Sequence, residues 1–276
     1  MHLKLSIQYD GTDFVGSQLQ AKGRTVQGEL EVALARLAGE PLRVALAGRT
    51  DSGVHAWEQI ASLDFPGRTR LDTPRAVTRA LNGILPQDLA VTGAEIAPEG
   101  FHARFSAHKR AYRYLLWNGA EPLPLPRRYS LHVGQKLDVN AMQWATSRLV
   151  GTHDMAAFAG SGLGVPSEED GEQERPSTVR TIYVARLHRL DTAANFWAWD
   201  APEPQGGIQA KGLLALDLVA NAFLPQMIRT IVGTLLEVGM GKRTVESISE
   251  LIESRDRAKA GPTARPQGLC LLWIEY

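Results

Sequence analysis

The sequence predicts an α+β protein made of two units. Three observations lead there. Segments with apolar residues at every second position stand beside segments of helical period. At 276 residues and 44% hydrophobic content, the chain can bury a full core, divided into two modest domains or held as one large one. Both halves follow a strand–helix–strand rhythm, although no sequence repeat accompanies it.

Leu3, Leu5, Ile7 and Tyr9 alternate and open the chain with a half-buried strand, and Asp10-Gly11 starts a turn. Thr25 is an N-cap candidate for an amphipathic helix marked by Val26, Leu30, Ala33, Leu34 and Leu37, which ends near Gly39. Val44 to Leu46 reads as a strand, and Trp57, Ile60, Leu63 and Phe65 mark the next one. Thr73-Pro74 opens a second helix through Leu81, with Pro in the first turn, and Leu89 to Ile96 is another strand. The domain boundary falls after residue 104, giving units 1–104 and 105–276.

The second unit begins with a strand at Ala111 to Trp117, a crossing rich in Pro (Pro122, Pro124, Pro126) and a helix over Val139 to Val150. Gly160 to Pro176, rich in Gly, acid and Pro, reads as a mobile loop. Strands are expected at Thr181 to Leu187, Asn195 to Trp199 and Leu213 to Val219. Helices follow at Phe223 to Val238 and Val245 to Ser254, and Leu269 to Glu275 closes the chain as a strand.

The N-terminus begins a strand pattern at once and leaves no room for a signal peptide, and no segment has the apolar length of a membrane span. The one cysteine, Cys270, supports neither an internal disulfide nor a Cys-rich metal site, so the expected compartment is the cytoplasm. The formal net charge is +0, but Glu168, Glu169, Asp170, Glu172 and Glu174 form one acidic run, and without them the remainder carries +5. Phe101 to Tyr114 holds Arg104, Lys109, Arg110 and Arg113 among Phe101, Phe105, Tyr112 and Tyr114, with no acid. Such a segment suits phosphate contact and base stacking. A strand with a solvated basic face explains the segment alone equally well.

The octet Gly48-Arg49-Thr50-Asp51-Ser52-Gly53-Val54-His55 places a carboxylate in a small-residue turn between two strands, where a scaffold can mount it open to a ligand. Asp51-Ser52-Gly53 taken alone is better explained as an ordinary turn. The tripeptide also matches the aspartic-protease signature, but no second copy exists to supply the paired carboxylate. Gly239-Met240-Gly241-Lys242 fails as a P-loop, because Leu236 stands at the first Gly position and Arg243 at the Ser/Thr position. The histidines show no metal-ligand spacing. Arg229 lies in an apolar helical stretch with Met227, Ile228, Ile231 and Val232, where an unpaired charge is expensive to bury. Its aliphatic stem could also carry the charge out to solvent.

Taken together, the octet, Phe101-His102-Ala103-Arg104-Phe105-Ser106, Tyr112-Arg113-Tyr114, Asn221 through Val238, Tyr9-Asp10-Gly11-Thr12 and Gly268-Leu269 closely resemble the TruA family of tRNA pseudouridine synthases. The resemblance runs nearly the whole chain. It implies the pseudouridine synthase fold: two related α/β-sandwich-like domains with mainly antiparallel mixed sheet and a basic active-site cleft between them. By resemblance Asp51 is the essential aspartate, Tyr112 the active-site tyrosine, Arg229 the basic partner of that aspartate and Leu269 an apolar pocket residue. Arg49 matches an arginine that flips the target base and holds RNA. Arg104, Lys109 and Arg110 are the further candidates for substrate contact.

The implied reaction turns uridine into pseudouridine at positions 38, 39 and 40 of the anticodon stem-loop. It breaks the N1–C1′ bond, turns the uracil and joins C5 to C1′, with no cofactor, metal or nucleotide. Attack at C1′, attack at C6 and abstraction of a sugar proton are all open to Asp51. The implied partner is tRNA lying across a homodimer, with no membrane and no small-molecule cofactor. A pseudouridine synthase for another RNA and a non-catalytic RNA-binding module are the alternatives. Ser52 stands where the family commonly has Ala, Ser17 and Leu19 where Trp and Arg are usual, and Gln226 where His is common.

Overall fold

The computed structural model describes residues 1–66, 71–160, 177–190 and 212–276 and divides the chain into two compact units. The first comprises Met1–Arg110 with Cys270–Tyr276, and the second Ala111–Leu269. The closing strand therefore clusters with the first unit, because it pairs there in parallel, Cys270 with His55 and Leu271 with Ala56.

In the first unit, β1 (His2–Tyr9) lies between β4 (Leu89–Ile96) and β3 (His55–Asp64), antiparallel to both. β10 (Leu269–Glu275) follows on the far side of β3, and the two-residue β2 (Ala45–Leu46) also pairs with β3. Leu3, Leu5 and Ile7 are fully buried while the residues between them keep partial exposure, as the two-residue period dictates. The helix α1 (Val26–Ala38) starts on the Thr25 hydroxyl, which accepts from the Gly28 amide, and stops at Gly39 in the left-handed region. It buries Val26, Leu30, Ala33 and Leu34 along one stripe. α2 (Pro74–Asn82) is capped by Thr73 and packs on β4, with Val77 and Leu81 buried.

In the second unit the strand order is β5 (Lys109–Trp117), β9 (Leu213–Ala220), β8 (Val179–Arg189) and β7 (Gly151–Asp154). β7, β8 and β9 run antiparallel, and the short β6 (Leu131–His132) pairs in parallel with β5. Every residue of β9 is buried, and all but Asp217 are apolar. α3 (Val139–Ser147) packs on β8 and on α4 (Met227–Gly239), and α5 (Ser247–Ser254) follows.

The mixed, mainly antiparallel α+β character agrees with the sequence reading. Some boundaries differ. α4 begins at Met227 rather than Phe223, because Pro225 disfavours helical backbone in Leu224 and Gln226 sits at φ 56°, outside the helix. α3 stops at Ser147, where the Arg148 amide folds back to the Ala145 carbonyl. The strands β6 and β7 are too short to leave a period in the sequence. The expected strand at 195–199 and the acidic run Glu168 to Glu174 lie outside the described residues.

Candidate active site

Asp51 sits in the connection between β2 and β3, and its neighbours are fastened on every side. Thr50 donates its amide to Ser17 Oγ at 2.8 Å and accepts the Ser17 amide on its carbonyl at 3.1 Å. Its hydroxyl lies 2.8 Å from the Tyr9 phenol. Asp51 itself forms an isolated antiparallel bridge with Gly16. Beyond it, the Ser52 hydroxyl and the Gly53 amide both donate to the Phe14 carbonyl, at 3.1 and 3.3 Å. Gly53 takes φ +77°, a region that favours glycine. Before it, Gln59 Nε2 donates to the Gly48 carbonyl at 2.9 Å. With each such bond contributing about 1 kcal/mol net, the turn is held from three directions.

The supporting loop is itself pinned. Arg24 donates to both carboxylate oxygens of Asp88, at 2.6 and 2.7 Å, and to Glu29 at 2.6 Å, and it lies 4.2 Å from the Phe14 ring centroid. The hydrogen bonds to Asp88 lead in keeping its guanidinium charged. Gly11 must be glycine: a Cβ there would lie 2.0 Å from the Val54 carbonyl oxygen. Burial pushes the Tyr9 phenol up to about 12. Sequence reasoning marked Asp51 and Arg49 but not Ser17, Tyr9 or Arg24 as its supports. A buried serine (0% exposed) outside any regular element leaves no periodic signal.

Arg49 is exposed, two residues before Asp51. Arg110 Nη2 donates to the carbonyls of Ala47 and Arg104, both at 3.1 Å, and so ties the basic segment to the strand end that leads into the turn. Lys109 pairs with Glu275 at 2.7 Å, and the Arg104 guanidinium carbon lies 5.3 Å from the Phe105 ring centroid. The first unit thus brings Asp51, Arg49, Arg104 and Arg110 into one connected region.

The second unit holds Tyr112, Arg229 and Leu269. Tyr112 is buried, at 7% exposure, and meets the Phe223 ring edge-on at 5.2 Å and 81°. Arg229 lies in the first turn of α4, where its Nε donates to the Ala264 carbonyl at 2.8 Å while its own carbonyl accepts the Ala264 amide at 3.0 Å. Leu269 is buried, directly after Gly268, where a Cβ would lie 2.6 Å from the Leu115 carbonyl oxygen. The Tyr114 phenol donates to the Arg265 carbonyl at 2.5 Å; burial raises its pKa against the opposing pull of Arg229 and Arg265.

Arg113 corrects the reading of the basic segment. It is 1% exposed and clamps the fully buried Asp217, Nε to Oδ1 at 2.7 Å and Nη2 to Oδ2 at 3.0 Å. Strand alternation turns it to the face opposite Tyr112 and Tyr114. His188 Nε2 lies 2.8 Å and Arg186 Nη2 3.3 Å from the same carboxylate. Burial works to raise the Asp217 pKa, but the hydrogen bonds from His188 and Arg113 outweigh it and hold the carboxyl below its ordinary range.

Among the described residues no group of three or more His, Cys, Asp or Glu side chains suits a metal ion, and no helix is long and apolar enough to cross a membrane. A family model described as tRNA pseudouridine synthase matches residues 5–106 and 145–276. A protein of Chloroflexus aurantiacus named tRNA pseudouridine synthase A is 45% identical over 274 residues, covering 99% of this chain and 88% of that protein. Proteins of the same name are 42% identical in Roseiflexus sp. (100% of this chain, 90% of that protein) and 38% identical in Lacticaseibacillus casei (100% and 99%).

Proposed function

Because the chain belongs to the tRNA pseudouridine synthase family, its reaction is the isomerisation of uridine to pseudouridine in tRNA, and we propose that Asp51 is the carboxylate that carries it. The observation that supports this role is the mounting of the turn. Asp51 is half-buried, bridged to Gly16, and flanked by residues whose backbone groups are hydrogen-bonded. A carboxylate so fixed is oriented before the substrate arrives.

The reaction breaks N1–C1′, turns the uracil and forms C5–C1′, so atoms are conserved and no electrons are gained or lost. It requires the target nucleotide out of its stack. Asp51 acts on the sugar–base junction, Tyr112 covers the uracil face and serves the C5 proton, and Arg229 contributes a positive charge to the reaction. Arg49 takes part in drawing out the base, and Leu269 supplies apolar pocket surface. The targets on this reading are positions 38, 39 and 40 of the anticodon stem-loop. The working form is a cytoplasmic homodimer that needs no cofactor.

The test is release of tritium from tRNA carrying 5-tritiated uridine, followed by mapping of the modified position. Asp51→Asn and Asp51→Ala should lose activity by about 10⁴-fold or more while binding tRNA within a few-fold of wild type. Appreciable turnover in Asp51→Ala would remove Asp51 from the chemistry. Tyr112→Phe should turn over slowly at near-normal affinity, and Tyr112→Ala should bind more weakly as well.

A further inference from the structure

Phe105 is a large apolar side chain left 62% exposed in the first unit. Burying such a ring is worth roughly 1.5–3 kcal/mol, which this one largely forgoes. Its exposure does not come from a loose loop. His102 Nδ1 accepts the amides of Arg104 and Phe105 at 3.2 and 3.4 Å, and the Ser106 hydroxyl accepts the His102 amide at 3.1 Å. The Ser106 amide returns to the His102 carbonyl at 2.9 Å, and the Ala103 amide is held by Ser62 Oγ at 3.0 Å. The ring is itself braced, with the His102 ring 4.5 Å away at 32° and the Arg104 guanidinium carbon at 5.3 Å. At 62% exposure much of the ring surface remains open to a flat group.

Its location gives that face a purpose. Arg110 fastens the Arg104 carbonyl to that of Ala47, four residues before Asp51, and the exposed Arg49 belongs to the same connection. Cations beside an exposed aromatic ring suit a single-stranded nucleic acid, whose phosphates meet the charge while a base covers the ring. Extruding a nucleotide also leaves its neighbours with uncovered faces. We propose that Phe105 is a stacking platform for an unpaired base of the tRNA substrate, with Arg104 as its cationic flank. This rests on the tRNA reading above.

The experiment uses the full chain and an unmodified tRNA transcript. Phe105→Ala should bind about five-fold or more weakly, and Phe105→Leu should be weakened too, since bulk without a π-system does not stack. Phe105→Trp should keep the affinity, and its fluorescence should show quenching on tRNA addition beyond that of the wild-type chain. Because no charge is removed, the slope of log affinity against log salt should be unchanged in all three. Affinity within two-fold of wild type for Phe105→Ala, or absence of added quenching in Phe105→Trp, would overturn the proposal. A sedimentation shift in Phe105→Ala at unchanged tRNA affinity would assign the ring to contact between copies of the chain, and would equally overturn it. Should Phe105→Ala unfold early, the Phe105→Trp quench alone decides. Tritium release by the wild-type chain tests the underlying reading separately, so the two failures are distinguishable.

Discussion

Thr50 shows how the aim of a carboxylate depends on a residue that does no chemistry. Its amide is buried against Ser17 Oγ, so Ser17→Ala leaves a donor without its acceptor and should cost about 1–3 kcal/mol. If the clamp aims Asp51, kcat should fall in Ser17→Ala while KM for tRNA stays put, and Ser17→Thr should restore part of the rate. Steady-state tritium release and urea denaturation together check this; a stability loss with unchanged kcat would make Ser17 structural only. Asp217 gives a second prediction. Its folded pKa is depressed, so its contribution to stability is present above about pH 3.8 and is lost as the pH falls through the folded value. Asp217→Asn should flatten that acid limb in melts from pH 3 to 7, and should cost on the order of 3–5 kcal/mol at neutrality, because Arg113 then loses its buried counter-charge. The turn that carries Asp51 was legible because Gly, Arg and small turn residues surround it in sequence. The roles of Ser17 and Asp217 were not, because their partners arrive from distant strands and loops.

At the scale of the element, period two correctly located β5 but could not say which of its faces is dry. Tyr112 and Arg113 are consecutive and both buried, one against Phe223 and the other against Asp217. An acid four strands' worth of sequence away decides that Arg113 is structural, and nothing local announces it. The late start of α4 has a similar origin. A helical apolar stripe runs through Phe223 and Leu224, yet Pro225 and the left-handed Gln226 delay the helix until Met227. Gln226 is packed as well as strained, since a Cβ on Gly160 would lie 2.8 Å from its side-chain amide. Gln226→Val puts a β-branched side chain at positive φ and should destabilise by about 1–3 kcal/mol, whereas Gln226→Asn should be tolerated. Thermal melting checks both, and equal melting temperatures would show that this backbone conformation is not maintained.

At the scale of the whole molecule, a formal charge of +0 conceals a local excess. Log affinity for tRNA should fall linearly with log salt, and Arg49→Gln should reduce the slope by about 1, as expected for one lost phosphate contact. Arg113→Gln should leave the slope alone and lower the melting temperature, because its charge is spent on Asp217. The reverse pattern would exchange the two assignments. The α+β class and most elements were readable because propensity, caps and period agree. The division of the chain was harder to read, since a closing strand carries no mark of the partner it will join. That strand also sets an order of assembly. The first unit is discontinuous: β3 acquires its parallel neighbour, at His55 and Ala56, only from Cys270 and Leu271. At roughly 5–20 residues per second, a ribosome that has finished Arg110 needs on the order of ten seconds to reach Cys270. Throughout that interval the nascent unit carries an unfilled strand edge beside the turn that holds Asp51, open to mispairing with other chains.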